Sequence, residues 1–258
     1  MNPRPFISFL LVCFISPSFF LFSIASSIEH ELLLIDKRIA SDTTNITHRL
    51  KKAQLLFDSN QHQLAVDEYN TIIKLKPDSY DAYFGRGMAL GRLGEIQNGI
   101  DDISVFIEHN PQSSLAFTKR GVRYLWLGDL KKAANDFYRA IALNPKNAEA
   151  HDDLGVILAQ QNKPKEAIVH FSKTIEYDPS YQKAYHNLAL TYFIYDNSHA
   201  ALSIVNKALE LSPDSKDTVL LKSEILRSLG HISQANALKE DAQFLPEANW
   251  SESMAIQQ

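Results

Sequence analysis

Five prolines recur at a constant interval along most of this chain. Pro77, Pro111, Pro145, Pro179 and Pro213 are each separated by 34 residues. A fixed interval of this size is typical of proteins built from stacked copies of one structural unit, because no single unit can bury its own apolar side. The spacing divides the chain into six units. Their predicted bounds are 46–79, 80–113, 114–147, 148–181, 182–215 and 216–249.

Two columns of small residues predict where helices cross within each unit. Counted from the start of a unit, position 8 is always Ala, Gly or Ser, and position 20 is always Ala or Gly. Side chains this small let two helix backbones approach closely. Position 15 holds only Gly, Asn or Asp, which best adopt the left-handed conformation that ends a helix. Each unit is therefore predicted to be a hairpin of two helices, and the prolines end the second helix.

The third unit carries the pattern most fully. Its residues are Phe117, Gly121, Tyr124, Gly128, Ala133, Phe137, Ala140 and Pro145. This pattern resembles the tetratricopeptide repeat. The resemblance implies an all-α fold, a right-handed superhelix or alpha solenoid of about six helical hairpins over residues 46–249. It also implies binding of a protein or peptide partner.

The first 27 residues differ from the rest of the chain. Residues 6–24 are almost wholly apolar, Arg4 is the only charge, and small residues follow at Ala25, Ser26 and Ser27. This composition predicts a secretory signal peptide over residues 1–27. The apolar run is long for a signal core, so an uncleaved membrane anchor is the alternative. Both interpretations predict export to the periplasm or cell envelope, or secretion, with membrane contact only through residues 6–24 if they are retained.

Two short segments flank the predicted array. Residues 28–45 are predicted to form a capping helix, part of an amphipathic helix over Ser26–Ala40, and then a polar linker. Residues 250–258 are predicted to be a polar tail. The net charge is −4, from 26 basic and 30 acidic residues, which argues against binding nucleic acid. Cys13, the single cysteine, lies in the leader, so the body can hold no disulfide.

No motif predicts catalysis, a cofactor or a metal site. The nine histidines lack metal-ligand spacing. His151 and His186 lie on neighbouring first helices and could approach each other, but position 4 of a unit is normally a packing position. Asp101–Asp102 and Asp152–Asp153 are adjacent pairs within helices, so their side chains point apart and are interpreted as solvated faces. We therefore predict no catalytic, cofactor-binding or metal-binding residues, and no enzyme.

One face of the first helices is unusually apolar. Positions 2, 5, 9, 12 and 13 cluster on one side of that helix, and the resemblance places this side on the inner face, where partner peptides lie. The predicted groove residues are Phe84, Met88, Leu115, Val122, Leu125, Trp126, Val156, His186, Leu190, Phe193 and Ile194. An exposed apolar strip generally marks an interaction surface, and Trp126 is the predicted anchor. The alternatives are cover by the chain's own ends and self-association; the oligomeric state stays open.

Some members of the family hold a carboxylate with a clamp of Lys, Asn and Arg. The nearest positions here are Thr118, Val122, Asp153, Lys183 and Asn187, which supply one clear cation. We therefore predict a non-enzymatic scaffold or adaptor of the cell envelope that binds a partner peptide of another type. The alternatives are a structural subunit of a membrane-associated or self-associating assembly, and a substrate adaptor for an envelope protease or cell-wall enzyme.

Overall fold

The chain is helical throughout the part that the structure describes. The structure is a computed structural model covering residues 17–246, with side chains from residue 28 onward. Its elements are α1 (Pro17–Ser41), α2 (Ile46–Asp58), α3 (His62–Leu75), α4 (Tyr80–Arg92), α5 (Ile96–His109), α6 (Ser114–Trp126), α7 (Leu130–Leu143), α8 (Ala148–Gln160), α9 (Pro164–Tyr177), α10 (Gln182–Ile194), α11 (Ser198–Leu211), α12 (Lys216–Ser228), α13 (Ile232–Asp241) and a 3-10 helix (Ala242–Phe244). The all-α prediction is confirmed. The predicted tail and residues 1–16 of the predicted leader lie outside the described residues.

The break inside each hairpin has the backbone conformation that the sequence predicts. Asn60, Asn162 and Asp196 have φ values of 59°, 60° and 62°, and glycine occupies this left-handed region in the other three hairpins. Asn and Asp tolerate it because their short polar side chains bond locally. The second helices of the first five hairpins each end two residues before one of the regularly spaced prolines. A 34-residue unit therefore forms two helices of similar length.

Residues 17–77 form one compact unit. The helix predicted for Ser26–Ala40 begins earlier, at Pro17, and ends at Ser41. No glycine or second proline interrupts this stretch, so the helix continues back across residue 27. Within residues 17–246, no helix combines the length and apolarity needed to cross a membrane. The side chain of Asn45 caps α2 by accepting a hydrogen bond from the main-chain nitrogen of His48.

Residues 78–246 form the second compact unit, in which α4–α13 stack as successive hairpins. In this described stretch, the first helix of each hairpin contacts the first helix of the next, whereas successive second helices do not meet. The first helices α4, α6, α8, α10 and α12 are thus closer together and line the inner side of the stack. We call the face that they form the inner surface.

Small residues set how closely the two helices of a hairpin pack. A Cβ atom added at Gly87 of α4 would lie 2.8 Å from the carbonyl oxygen of Gly99 in α5, and the reverse distance is also 2.8 Å. Real Cβ atoms do not approach other atoms so closely. The predicted crossing of the small residues at positions 8 and 20 is therefore a contact between helix backbones.

Candidate interaction surface

The predicted groove residues all lie on first helices. Phe84 and Met88 belong to α4, Leu115, Val122, Leu125 and Trp126 to α6, Val156 to α8, and His186, Leu190, Phe193 and Ile194 to α10. Most are partly buried, whereas Leu115 and Ile194 expose 52% and 63% of their surface. The inner surface therefore presents apolar side chains at several depths.

The apolar residues on α4, α6 and α8 share one hydrophobic cluster. Phe84, Met88, Leu125, Trp126 and Val156 pack against it from the side, all partly buried. Val122 belongs to the buried interior of the same cluster, with 9% of its surface exposed. It therefore stabilises the stack and offers little area to a partner.

Trp126 lies beside a buried cation. The guanidinium carbon of Arg123 stands 5.1 Å from the centre of the Trp126 ring. Arg123 donates to the main-chain carbonyls of Lys119 and Met88, at 3.2 and 3.3 Å. Burial lowers the pKa of Arg123 to about 10, and nearby Arg92 adds to this effect. A cation held in this way fixes one face of the indole.

Two of the predicted groove residues on α10 pack elsewhere, although Leu188 of the same helix belongs to that cluster. Leu190 and Phe193 pack against a separate cluster built from α10, α11 and α12. His186 Nδ1 lies 3.0 Å from the hydroxyl of Thr218 in α12, and burial lowers the pKa of this histidine. The predicted groove residues thus border two hydrophobic clusters, which share Tyr192 and Ile204 at their edges.

Charged side chains of α6, α8 and α10 contact one another between neighbouring first helices. Lys119 of α6 donates to both carboxylate oxygens of Glu149 in α8, at 2.7 Å each. Lys183 Nζ of α10 lies 3.3 Å from Asp152 Oδ2 and 3.6 Å from Asp153 Oδ1. Three carboxylates therefore face two ammonium groups across neighbouring first helices. We call these five residues the charged cluster.

Asp152 and Asp153 are buried, so their interpretation as a solvated face is wrong. Asn187 Nδ2 donates to Asp152 Oδ1 at 3.1 Å, while Asp152 Oδ2 makes no hydrogen bond within the described part of the chain. Burial raises the pKa of Asp152, and it raises the pKa of Asp153 to about 7. Asp152 and Asp153 are positions 5 and 6 of their unit, and their partners Lys183 and Asn187 lie on the next hairpin.

Asp102 is also buried, although its neighbour Asp101 is exposed as expected. Arg86 of α4 donates to both oxygens of Asp102 in α5, at 2.6 and 2.7 Å. Arg120 and Asp136 form the same pair in the next hairpin, at 2.8 Å for both bonds. Each bidentate pair joins position 7 to position 23 of its own unit. These carboxylates therefore hold the two helices of a hairpin together.

In the fourth hairpin, position 23 is His170, and it pairs with His151 at position 4. His151 Nδ1 lies 2.9 Å from His170 Nδ1, and His151 Nε2 lies 3.1 Å from the carbonyl oxygen of Pro145. Burial lowers the pKa of both rings, that of His170 to about 4 with a contribution from His151. His151 thus pairs within its own hairpin, whereas His186 contacts Thr218 of the next one.

Residues 17–77 contain a separate open cavity of about 380 Å³ between α1, α2 and α3. Lys52 lines it and lies 2.8 Å from Asp36 and 3.5 Å from Glu68. The lysine is thus already paired with carboxylates. Across the described residues, no group of three His, Cys, Asp or Glu side chains is placed to hold a metal ion.

An all-α solenoid whose hairpins recur every 34 residues is a repeat scaffold. Three family models, each described as a tetratricopeptide repeat, match residues 50–113, 125–193 and 182–215. The chain is therefore a tetratricopeptide-repeat protein, as the sequence pattern predicts. This family is generally a non-catalytic interaction module, and the fold supports a protein–protein interaction scaffold.

Solved structures show the same fold at low sequence identity. YrrB is 24% identical with a TM-score of 0.56, covering 72% of this chain and 95% of its own. A tetratricopeptide repeat protein from Parabacteroides merdae is 16% identical with a TM-score of 0.68, covering 90% and 92%. PilF from Pseudomonas aeruginosa is 12% identical with a TM-score of 0.70, covering 77% and 90%. No curated protein sequence matches the chain.

Proposed function

We propose that this protein is an exported, non-enzymatic adaptor of the cell envelope that binds a peptide segment of a partner protein on its inner surface. The observation that carries the proposal is the set of apolar side chains on first helices. Leu115 and Ile194 are exposed there, and Trp126 and Phe193 are half-buried. Apolar surface gathered in this way generally marks an interaction site.

The neighbouring structures support the proposed mode of binding. YrrB is described as a tetratricopeptide protein with an unusual peptide-binding site, and this chain shares its fold. Aromatic side chains commonly dominate such interfaces, where truncating one costs above about 2 kcal/mol of binding free energy. Trp126 is the proposed anchor because Arg123 fixes one face of its ring.

The test compares the binding of peptides to the full chain and to two variants. Peptides selected for binding wild type are titrated against the double variant Trp126→Ala, Phe193→Ala. The matched control is Tyr138→Ala, which truncates an aromatic that is 50% exposed on the second helix α7. We expect the double variant to weaken binding at least thirtyfold and the control to leave it unchanged. Equal affinities for wild type and the double variant would refute the proposed surface.

Export is tested separately, because it depends on residues 1–27 alone. The chain is fused to a reporter enzyme that is active only outside the cytoplasm, with and without these residues. We expect activity only when they are present. Activity that persists after their removal would contradict the proposed location. Sedimentation of the purified chain distinguishes the adaptor from a self-associating array, since the adaptor sediments as a monomer.

A further inference from the structure

Asp153 has unused capacity to accept hydrogen bonds on the inner surface. Its side chain is 8% exposed, and among the described residues its one ion pair is with Lys183. Its nearest cation is Lys183 Nζ at 3.6 Å, a separation longer than a hydrogen bond. Lys183 also serves Asp152, so one ammonium group is shared between two carboxylates. A carboxylate buried in this way costs stability unless a charge or a donor reaches it.

The other cations of the region are committed elsewhere. The ammonium group of Lys119 forms an ion pair with Glu149. Arg123 donates to two main-chain carbonyls and lies over Trp126. With all five groups ionised, the charged cluster has an excess of one negative charge. Burial raises the pKa of Asp153 to about 7, which is the behaviour expected of an acid that lacks a full partner.

The surroundings of Asp153 are apolar along the same helix faces. Val156 follows three residues later on α8 and is partly buried beside the cluster that Trp126 borders. On α10, Leu190 follows Lys183 and Asn187 at helical spacing. Residues three and four apart share one face of a helix. An aliphatic chain that ends in a cation would therefore meet apolar atoms along its length and the carboxylate at its tip.

We propose that Asp153 is the polar anchor of the inner surface and binds a cationic group of the partner peptide, either a Lys or Arg side chain or a free amino terminus. This inference rests on the proposed function and names the chemistry that the surface selects. The incoming cation supplies the donors that Lys183 does not, and it neutralises the surplus charge of the charged cluster. Such a charge-assisted hydrogen bond is about twice as strong as a neutral one.

The probes are synthetic heptapeptides with leucine at the second and sixth positions. In four of them both ends are blocked, and the central residue is Lys, Arg, norleucine or Glu. A fifth has norleucine at the centre and a free amino terminus, which separates the two sources of positive charge. Affinities are measured by isothermal titration with the full chain, with Asp153→Asn, and with the control Asp101→Asn. Asp101 is exposed on α5 and accepts only a local bond from Gln97.

We expect at least one cationic probe to bind wild type tenfold or more tightly than blocked norleucine, and the glutamate peptide to bind weakest. Asp153→Asn keeps the side-chain shape and should reduce that preference to less than twofold, while Asp101→Asn keeps it in full. Circular dichroism checks that both variants are folded.

Three results would overturn the proposal. Equal affinity for the cationic and blocked norleucine probes, with binding still weakened by Trp126→Ala, would refute the cation site and leave the proposed function intact. A preference that survives in Asp153→Asn would place cation recognition elsewhere. Failure of every probe to bind wild type would count against both the proposed function and this inference.

Discussion

The crossing of α4 and α5 offers a quantitative test of the packing. Replacing Gly87 with Ala adds a Cβ 2.8 Å from the carbonyl oxygen of Gly99 and 2.9 Å from Cγ1 of Ile103. Ordinary contacts begin at 3.4 Å, so the helices must separate by roughly 0.6 Å. Overpacking of this kind costs about 1–3 kcal/mol. Ala in place of Gly returns about 1 kcal/mol through its higher helix propensity.

The expected net effect of Gly87→Ala is a loss of up to about 2 kcal/mol in the free energy of unfolding. Gly99→Ala should behave alike, since its Cβ would meet the carbonyl oxygen of Gly87 at 2.8 Å. Once one substitution has separated the helices, the second adds less strain. The double variant should therefore cost about 1 kcal/mol less than the sum of the single variants.

The assay is urea unfolding followed by circular dichroism at 222 nm. The control Ser203→Ala, at an exposed position of α11, reports the effect of helix propensity alone. If Gly87→Ala stabilises the chain as the control does, the two backbones are not in contact and the reasoning fails. Additive single and double variants would show that the two glycines do not share one crossing.

Three further predictions concern buried charge. Folding raises the pKa of Asp153 to about 7, so its ionisation destabilises the fold as pH rises from 4 to 7. In urea unfolding at pH 8, the free energy of unfolding of Asp153→Asn should exceed that of wild type by on the order of 2 kcal/mol. At pH 4 the two values should be equal. Folding lowers the pKa of His170 to about 4, so the free energy of unfolding of wild type should fall by about 1–3 kcal/mol between pH 7 and 4.5. The fall should be smaller in His170→Gln. An equal fall in wild type and variant would contradict a role for this ring. Arg86→Ala leaves Asp102 buried without its partner and should lower the free energy of unfolding by about 3 kcal/mol; a loss below 1 kcal/mol in the same assay would contradict this.

The tautomers of the histidine pair explain its expected sensitivity to acid. The carbonyl oxygen of Pro145 can only accept, so His151 Nε2 carries a hydrogen and its Nδ1 accepts from His170 Nδ1. A second proton on His151 would occupy the nitrogen that accepts this bond. His151 is therefore neutral in the intact pair.

The hairpins were predictable because their signals are local. The regular prolines end helices by restricting the residue before them, and Asn60, Asn162 and Asp196 mark the turns because few residue types adopt a positive φ. These effects act within a few residues, so a single sequence carries them. The start of α1 was missed because an apolar leader and a helical segment have the same local pattern.

The buried charges could not be predicted in the same way. Helical spacing assigns Asp102 and Asp153 to faces, but the depth of a face depends on the hairpin that packs over it. Asp102 is buried because Arg86 lies 16 residues earlier across the hairpin, and Asp153 because Lys183 lies on the next one. Adjacent acids in a helix do point apart. In Asp152–Asp153, however, both side chains are buried and both lie close to Lys183 of α10.

For the candidate surface, the sequence predicted only which helices carry its residues. All of its residues lie on first helices, as the column positions require. Their grouping was not foreseen, since Trp126 borders one hydrophobic cluster and Phe193 another. Which cluster a side chain joins is set by the interface it fills, and the sequence column is the same in both cases.

In residues 78–246, each hairpin contacts only the hairpins next to it. No contact between distant hairpins of this stretch therefore resists a rotation between two neighbouring ones. A rotation of a few degrees at the joint between α7 and α8 would swing every later helix through an arc that grows with distance along the stack. Small rotations distributed over several hairpin interfaces would then fit the inner surface to peptides with side chains of different size, and no helix would have to unfold.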